Sequence, residues 1–138
     1  MAKTTANFRA LRELCGVTQQ QAADALGVRA LTVKRWEKGE TPIPGDAMEW
    51  LMGCVEEHDA GVAENLGRLL AALPADGEAC LTYYRTQDQA DAEAYPEQAG
   101  PYGLLNAVTR STAERLVAMG YRVSFSYPEE ERIYGGEI

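Results

Sequence analysis

The sequence is poor in the residues that build metal sites and nucleophilic centres. It has one histidine, His58, and three cysteines that lie far apart, without a Cys-x-x-Cys pair. Structural zinc needs four clustered Cys or His ligands, and a nucleophilic cysteine needs a nearby base. The chain also has no phosphate-binding loop. We therefore expect no catalytic residue, no metal ligand and no cofactor, and do not predict an enzyme.

Long apolar runs are missing as well. No stretch approaches the ~20 apolar residues of a membrane span. The first residues, Met-Ala-Lys-Thr-Thr, lack the apolar core of a signal peptide. The composition, 46% hydrophobic and 25% charged, is ordinary for a globular chain, and 138 residues suit one compact unit or two very small ones. These features predict a cytoplasmic protein without a membrane partner.

Basic residues are outnumbered, with 13 lysines and arginines against 21 acidic residues and a net charge of −8. The acidity belongs to one part of the chain. Residues 1–53 have a formal charge of +1 and residues 54–138 a formal charge of −9. Four of the seven cations of the first part lie within residues 29–38. Such local clustering is typical of a nucleic-acid interface, whatever the total charge, and the acidic part should disfavour loose DNA binding.

Three short helices, each followed by a glycine, are predicted in the first part. Thr18-Gln19-Gln20-Gln21 is a capping box in which the Thr18 hydroxyl accepts from the Gln21 amide. The helices run over about Thr5–Cys15, Gln19–Leu26 and Ala30–Glu37, with Gly16, Gly27 and Gly39 after them. The first helix has an apolar face, formed by Phe8, Leu11, Leu14 and Cys15.

The second and third helices are separated by Gly27-Val28, which leaves too few linking residues for an open arrangement, so their inner faces must pack at a steep angle. This is the arrangement of a helix-turn-helix, which we place from about Asn7 to about Leu51. Leu31 or Val33, together with Trp36, is available for burial. The outer face of the third helix then carries Arg29, Ala30, Lys34, Arg35 and Lys38, with Thr32 at its edge.

This stretch resembles the Cro/C1-type (XRE) helix-turn-helix family over the first third of the chain. The matching features are Leu11-Arg12, Thr18-Gln19, Ala22, Leu26-Gly27-Val28, Val33, Trp36-Glu37-x-Gly39 and Pro42. The resemblance implies a lambda-repressor-like fold whose third helix enters the major groove of double-stranded operator DNA.

The resemblance also implies individual DNA contacts. Gln19, at the amino end of the second helix, would touch phosphate. The remaining positions divide into those that face bases or the adjacent backbone, Arg29, Ala30, Leu31, Lys34 and Arg35, and those that contact phosphate, Thr32 and Lys38. Two residues depart from the family pattern: Arg29 replaces a small polar cap, and Leu31 stands where a polar residue is usual. Leucine can contact a thymine methyl.

The second part combines long helices with short strands. A helical stretch is predicted to begin at Asp46, as N-cap, and to reach Leu73. Each glycine within it lowers helix stability by roughly 1 kcal/mol relative to alanine, so the helix could be broken near residues 59–61. Further along, the patterns predict strand Ala79–Thr86, a short helix near Asp88–Ala94, helix Tyr102–Met119 and strand Tyr121–Tyr127. The expected fold is mostly α with a small α+β part. Residues 1–58 would form the helix-turn-helix domain, and residues 59–138 a helical connector with a strand-helix-strand dimerisation domain.

The whole chain resembles, more loosely, the YdiL-like regulators and the anti-CRISPR-associated (Aca-type) repressors. This resemblance implies a homodimeric autorepressor. A second copy would extend the small sheet and bury Leu105, Val108, Leu116, Val123 and Phe125. The operator would then be an inverted repeat. An alternative is an antitoxin-like interaction module that grips a toxin and binds DNA only secondarily. The tyrosines of the second part favour a sheet and dimer core over a ligand pocket: Tyr83, Tyr84, Tyr121, Tyr127 and Tyr134.

Overall fold

The computed structural model describes residues 4–74, 77–94 and 100–130, and Tyr134 lies outside them. The chain forms two compact units, Met1–His58 and Asp59–Ile138. The elements in chain order are α1 (Thr5–Leu14), α2 (Gln19–Leu26), α3 (Ala30–Lys38), α4 (Gly45–Ala72), β1 (Glu78–Thr82), α5 (Gln87–Glu93), α6 (Tyr102–Ala118) and β2 (Arg122–Ser126). The predicted class, mostly α with a small α+β part, is confirmed. Within the described ranges, no helix is long and apolar enough to cross a membrane.

Local signals fix the ends of the first three helices. The capping box forms as predicted: the Gln21 amide donates to the Thr18 hydroxyl at 3.0 Å, and the Thr18 amide donates to the Gln21 side chain at 2.9 Å. The glycines after the three helices, Gly16, Gly27 and Gly39, have φ values of 73°, 68° and 77°. This left-handed conformation is disfavoured for residues with a Cβ, so the glycines end the helices where the sequence predicts.

The core of the first unit is mostly apolar, but it includes a buried arginine on α1. Phe8 and Trp36 pack edge to face, their ring centroids 5.9 Å apart. Leu14, predicted on the apolar face, is 48% exposed, while Arg12 is only 7% exposed. That part of the prediction is wrong because Arg12 finds buried acceptors and Leu14 faces solvent. The buried apolar residues are Phe8, Cys15, Val17, Ala22, Ala23, Val33, Trp36, Ile43, Ala47, Met48 and Leu51.

Helix α4 contributes residues to both units and is unbroken at residues 59–61. It begins at Gly45, so Asp46 lies in its first turn and is not the N-cap that the sequence predicted. Gly61 has a packing role, because a Cβ there would lie 3.2 Å from both methyl groups of Val108 on α6. The glycine lets the two helices approach closely, and this packing offsets its low helix propensity.

In the second unit, β1 and β2 pair in parallel, with Glu78 opposite Arg122 and Thr82 opposite Ser126. Helix α6 lies on the connection between the strands and packs against both of them. The core consists of Val62, Leu66, Ala79, Leu81, Ala113 and Leu116, with Leu69, Leu73, Val108, Tyr121 and Val123 partly buried against it.

The side chains expected at a dimer contact differ in their exposure. Leu116 is fully buried within the unit's own core, so it needs no second copy to cover it. Phe125 is 50% exposed, although the alternation along its strand places it on the same face as the half-buried Val123. Alternation along the strand therefore predicts the face that Phe125 occupies, but not how far that face is covered.

Candidate nucleic-acid interface

The turn between α2 and α3 fixes the angle between the two helices. Gly27 adopts the left-handed conformation, and the Val28 amide donates to the Ala23 carbonyl at 3.0 Å. This bond follows the last turn of α2, which ends at Leu26, and α3 begins at Ala30. Arg29 occupies the N-cap of α3 without a side-chain capping hydrogen bond. The short turn therefore packs α3 against α2 and leaves one face of α3 outward.

Helix α3 separates apolar and cationic side chains onto opposite faces. Val33 and Trp36 are 0% and 4% exposed and pack inward. Four basic side chains face outward and are exposed: Arg29, Lys34, Arg35 and Lys38. Leu31, 46% exposed, lies among these cations. This places Val33, rather than Leu31, in the core.

The single acidic residue of α3 is withdrawn from this surface. The Glu37 side chain is 4% exposed and forms a two-point ion pair with Arg12: Nε lies 2.7 Å from Oε2, and Nη2 lies 2.8 Å from Oε1. Arg12 also donates through Nη1 to the Val17 carbonyl at 2.9 Å. Because its carboxylate is buried and paired with Arg12, Glu37 does not oppose an anion at the outer face.

The same carboxylate holds one of the predicted contact residues. Gln19 Nε2 donates to Glu37 Oε1 at 3.2 Å, so the Gln19 side chain is fixed at the first turn of α2. Ala30 and Thr32 are partly exposed at the start of α3. All eight sequence-predicted contact residues therefore lie on α2 or α3 or at the N-cap of α3.

Sequence reasoning missed two features near this surface. Glu40 lies just after α3, and its carboxylate is 3.9 Å from Arg35 Nε, with both side chains about half exposed. The Arg12–Glu37 pair was also missed, although Arg12 follows Phe8 by four residues, a spacing that shares a helix face. An arginine on an apolar face signals that a buried acceptor is present elsewhere in the fold.

Comparison with known families supports the local geometry. Residues 8–49 match the family model described as Helix-turn-helix. None of the curated proteins matches the chain. The looser resemblance of the whole chain to YdiL-like and Aca-type regulators stays a prediction. The match spans 42 of the 138 residues, and it supports a DNA-binding helix-turn-helix of a transcription regulator in this segment.

Proposed function

We propose that the protein is a sequence-specific DNA-binding repressor that reads its operator with α3. The observation that carries this proposal is the composition of the outer face of α3. Four cations and an exposed leucine stand there, while the one acid of the helix is paired inside the unit. A short helix with this surface suits the major groove, where cations meet phosphates and guanine edges.

Individual roles follow from side-chain chemistry. Arg29, Lys34 and Arg35 carry the donors that guanine accepts, and an arginine can bond a guanine through two hydrogen bonds. Ala30 and Leu31 offer apolar contact to thymine methyl groups. The phosphate contacts fall to Gln19 at the start of α2, where the helix dipole favours an anion, and to Thr32 and Lys38.

We further propose that two copies associate through the second unit. Within the described residues the sheet has two strands, each with an unpaired edge. Two-stranded sheets are marginal alone, and open edges favour pairing. Val117 and Met119, at the end of α6, are 58% and 53% exposed and offer apolar surface to a second copy. A two-fold dimer would bind an inverted repeat with half-site centres about 10 base pairs apart, or a multiple of that.

DNA selection tests recognition directly. The full chain is incubated with random double-stranded DNA, and the bound fraction is sequenced. An enriched inverted repeat supports the proposal, whereas no enrichment at moderate salt contradicts it. Repression is then measured by placing the selected site in a reporter promoter, where expression should fall in the presence of the protein.

Two substitutions on α3 separate base reading from phosphate contact. Arg35→Ala should remove about 1–3 kcal/mol of discrimination against the wrong base. Lys38→Ala should weaken binding to all sequences alike and flatten the dependence on salt by about one unit. Arg9→Ala is the matched control, because it removes an exposed cation from α1, outside this face. Equal effects of all three substitutions would contradict the assigned face.

Sedimentation tests the association. At micromolar concentration the mass should be twice the 15.1 kDa of one chain. Val117→Glu should shift the protein toward the monomer, because it places a charge in the apolar contact. A wild-type mass of one chain would refute the homodimer.

A further inference from the structure

A cavity of about 370 Å³ lies in the second unit where the two parallel strands end. The Tyr83 amide donates to the Ser126 carbonyl at 2.9 Å, which extends the pairing just past β1. The crevice beyond the carboxyl ends of parallel strands is the usual ligand position in open α/β sheets, and this volume is within the range of small-molecule sites. The lining residues are Tyr83, Arg110, Phe125, Ser126, Tyr127 and Glu130.

Three aromatic rings form the apolar wall of the cavity. Tyr83 meets Phe125 edge to face at 5.9 Å between centroids, and it meets Tyr127 at 6.4 Å and an interplanar angle of 61°. Phe125 is half exposed, and both tyrosines are partly buried. The cluster is therefore open on one side, and the rings offer faces and edges to a flat aromatic guest.

The charged side chains around this wall differ in the partners that they bind. Arg85 lies 3.7 Å above the centre of the Tyr127 ring and bonds the Glu129 carboxylate at 2.6 Å. Glu130 Oε1 accepts from the Tyr127 amide at 3.0 Å. Arg110 donates to the Tyr83 hydroxyl, and no carboxylate among the described residues lies within 4.0 Å of its guanidinium.

We propose that this cavity binds a small, flat aromatic carboxylate. The ring of the guest packs against Phe125 and Tyr83, and its carboxylate accepts two hydrogen bonds from Arg110. The hydrogen bond to the Tyr83 hydroxyl positions the Arg110 guanidinium at the cavity, and a planar guanidinium matches a carboxylate in geometry.

Two related probes test the proposal on the full chain. Binding of 2-naphthoate is measured by isothermal titration calorimetry and by shifts of backbone amide NMR signals. The uncharged 2-naphthamide has the same ring and lacks the carboxylate. Naphthoate should bind at least tenfold more tightly, because hydrogen bonds between charged groups are about twice as strong as neutral ones. The signals of Tyr83, Phe125 and Tyr127 should shift most.

Substitutions identify the carboxylate partner. Arg110→Gln should weaken naphthoate binding at least tenfold and leave naphthamide binding unchanged. Arg115→Gln removes an exposed arginine from the same helix, outside the cavity lining, and should leave both affinities unchanged. Circular dichroism confirms that both variants are folded.

Three results would overturn the proposal. The first is the absence of saturable naphthoate binding up to millimolar concentration. The second is equal affinity for naphthoate and naphthamide, or for wild type and Arg110→Gln. The third is a dimer that becomes a monomer in Phe125→Ala, because a second copy would then occupy the cavity. None of these results depends on DNA binding, so the assignment of α3 is tested separately.

Discussion

Replacing Arg12 with methionine is the sharpest test of how the first unit is stabilised. Arg12 is 7% exposed and makes three hydrogen bonds, two to Glu37 and one to the Val17 carbonyl, at 2.7 to 2.9 Å. Methionine preserves much of the volume and removes every donor. In Arg12→Met, the buried Glu37 carboxylate retains Gln19 as a donor, at 3.2 Å, and loses its counter-charge.

The expected loss is large on the scale of protein stability. Breaking a buried ion pair by removing one partner costs about 3–5 kcal/mol, because the other charge stays buried without compensation. Total stabilities are about 5–15 kcal/mol. With a urea dependence of about 2 kcal/mol per molar, the midpoint should fall by about 2 M.

Tryptophan fluorescence is a suitable readout, because both tryptophans of the chain, Trp36 and Trp50, belong to the first unit. Urea unfolding is followed at pH 7. The control is Arg9→Met, which removes an exposed pair whose side chains are 65% and 53% accessible. The hydrogen bond from Arg9 lowers the pKa of Glu13. The stability that this pair contributes is therefore complete above the ordinary pKa of 4.5, and it is lost as the pH falls through the folded-state pKa. At pH 7 the control midpoint should barely move.

The double variant Arg12→Met, Glu37→Met completes the test. Replacing both partners of a buried pair with apolar residues is often nearly neutral, so the double variant should be more stable than Arg12→Met alone. Two results would refute the reasoning: a loss below about 1 kcal/mol in Arg12→Met, or losses that simply add in the double variant.

Three further predictions concern separate features. Gly67→Ala should raise the free energy of unfolding by up to about 1 kcal/mol, because a Cβ added there meets nothing within 4 Å. Gly61→Ala should show no such gain, and thermal unfolding followed by circular dichroism measures both variants. Replacing the operator thymine that we propose contacts Leu31 with deoxyuridine should weaken operator binding about fourfold, the value of one methyl group, and Leu31→Ala should abolish that difference. Iodoacetamide at pH 8 should label the exposed Cys80 before Cys54, because burial and Glu57 raise the pKa of the Cys54 thiol. Peptide mass spectrometry measures the order of labelling, and the reverse order would contradict this prediction.

The helices of the first unit were predictable because their boundaries depend on local signals. The capping box at Thr18 and the left-handed Gly27 each act over three or four residues, so a single sequence contains the necessary information. The observed α2 coincides with the predicted range, and α3 extends one residue further. Asp46 is the counterexample. It is a favourable N-cap residue, but α4 begins one residue earlier, at Gly45, so Asp46 lies inside the helix.

The end of β1 was not predictable from local pattern. The aromatic run favours a strand as far as Thr86, yet pairing within β1 ends at Thr82. Asn106 causes the difference: its side chain accepts from the Tyr84 amide at 3.0 Å and donates to the Tyr84 carbonyl at 2.9 Å. A buried side chain 22 residues away thus takes the backbone groups that a longer strand would have used.

The candidate DNA-binding face was predictable for a related reason. Side chains that project outward from α3 follow from helical spacing, and Val33 and Trp36 set the inward face. The environment of Glu37 was not predictable, because its partner lies 25 residues earlier. DNA contact by any of these residues stays a prediction until binding is measured.

The net charge of −8 illustrates why a total is a poor guide to an interface. At physiological salt the Debye length is about 8 Å, so exposed charges farther away than this are largely screened. The acid within α3 is paired in the interior, and the nearest exposed acid that the structure places beside an α3 cation is Glu40, 3.9 Å from Arg35. That half-exposed pair is weak enough for a phosphate or a base to replace. The outer face of α3 is therefore better described by its own four exposed cations and by Glu40 than by the net charge of the whole chain.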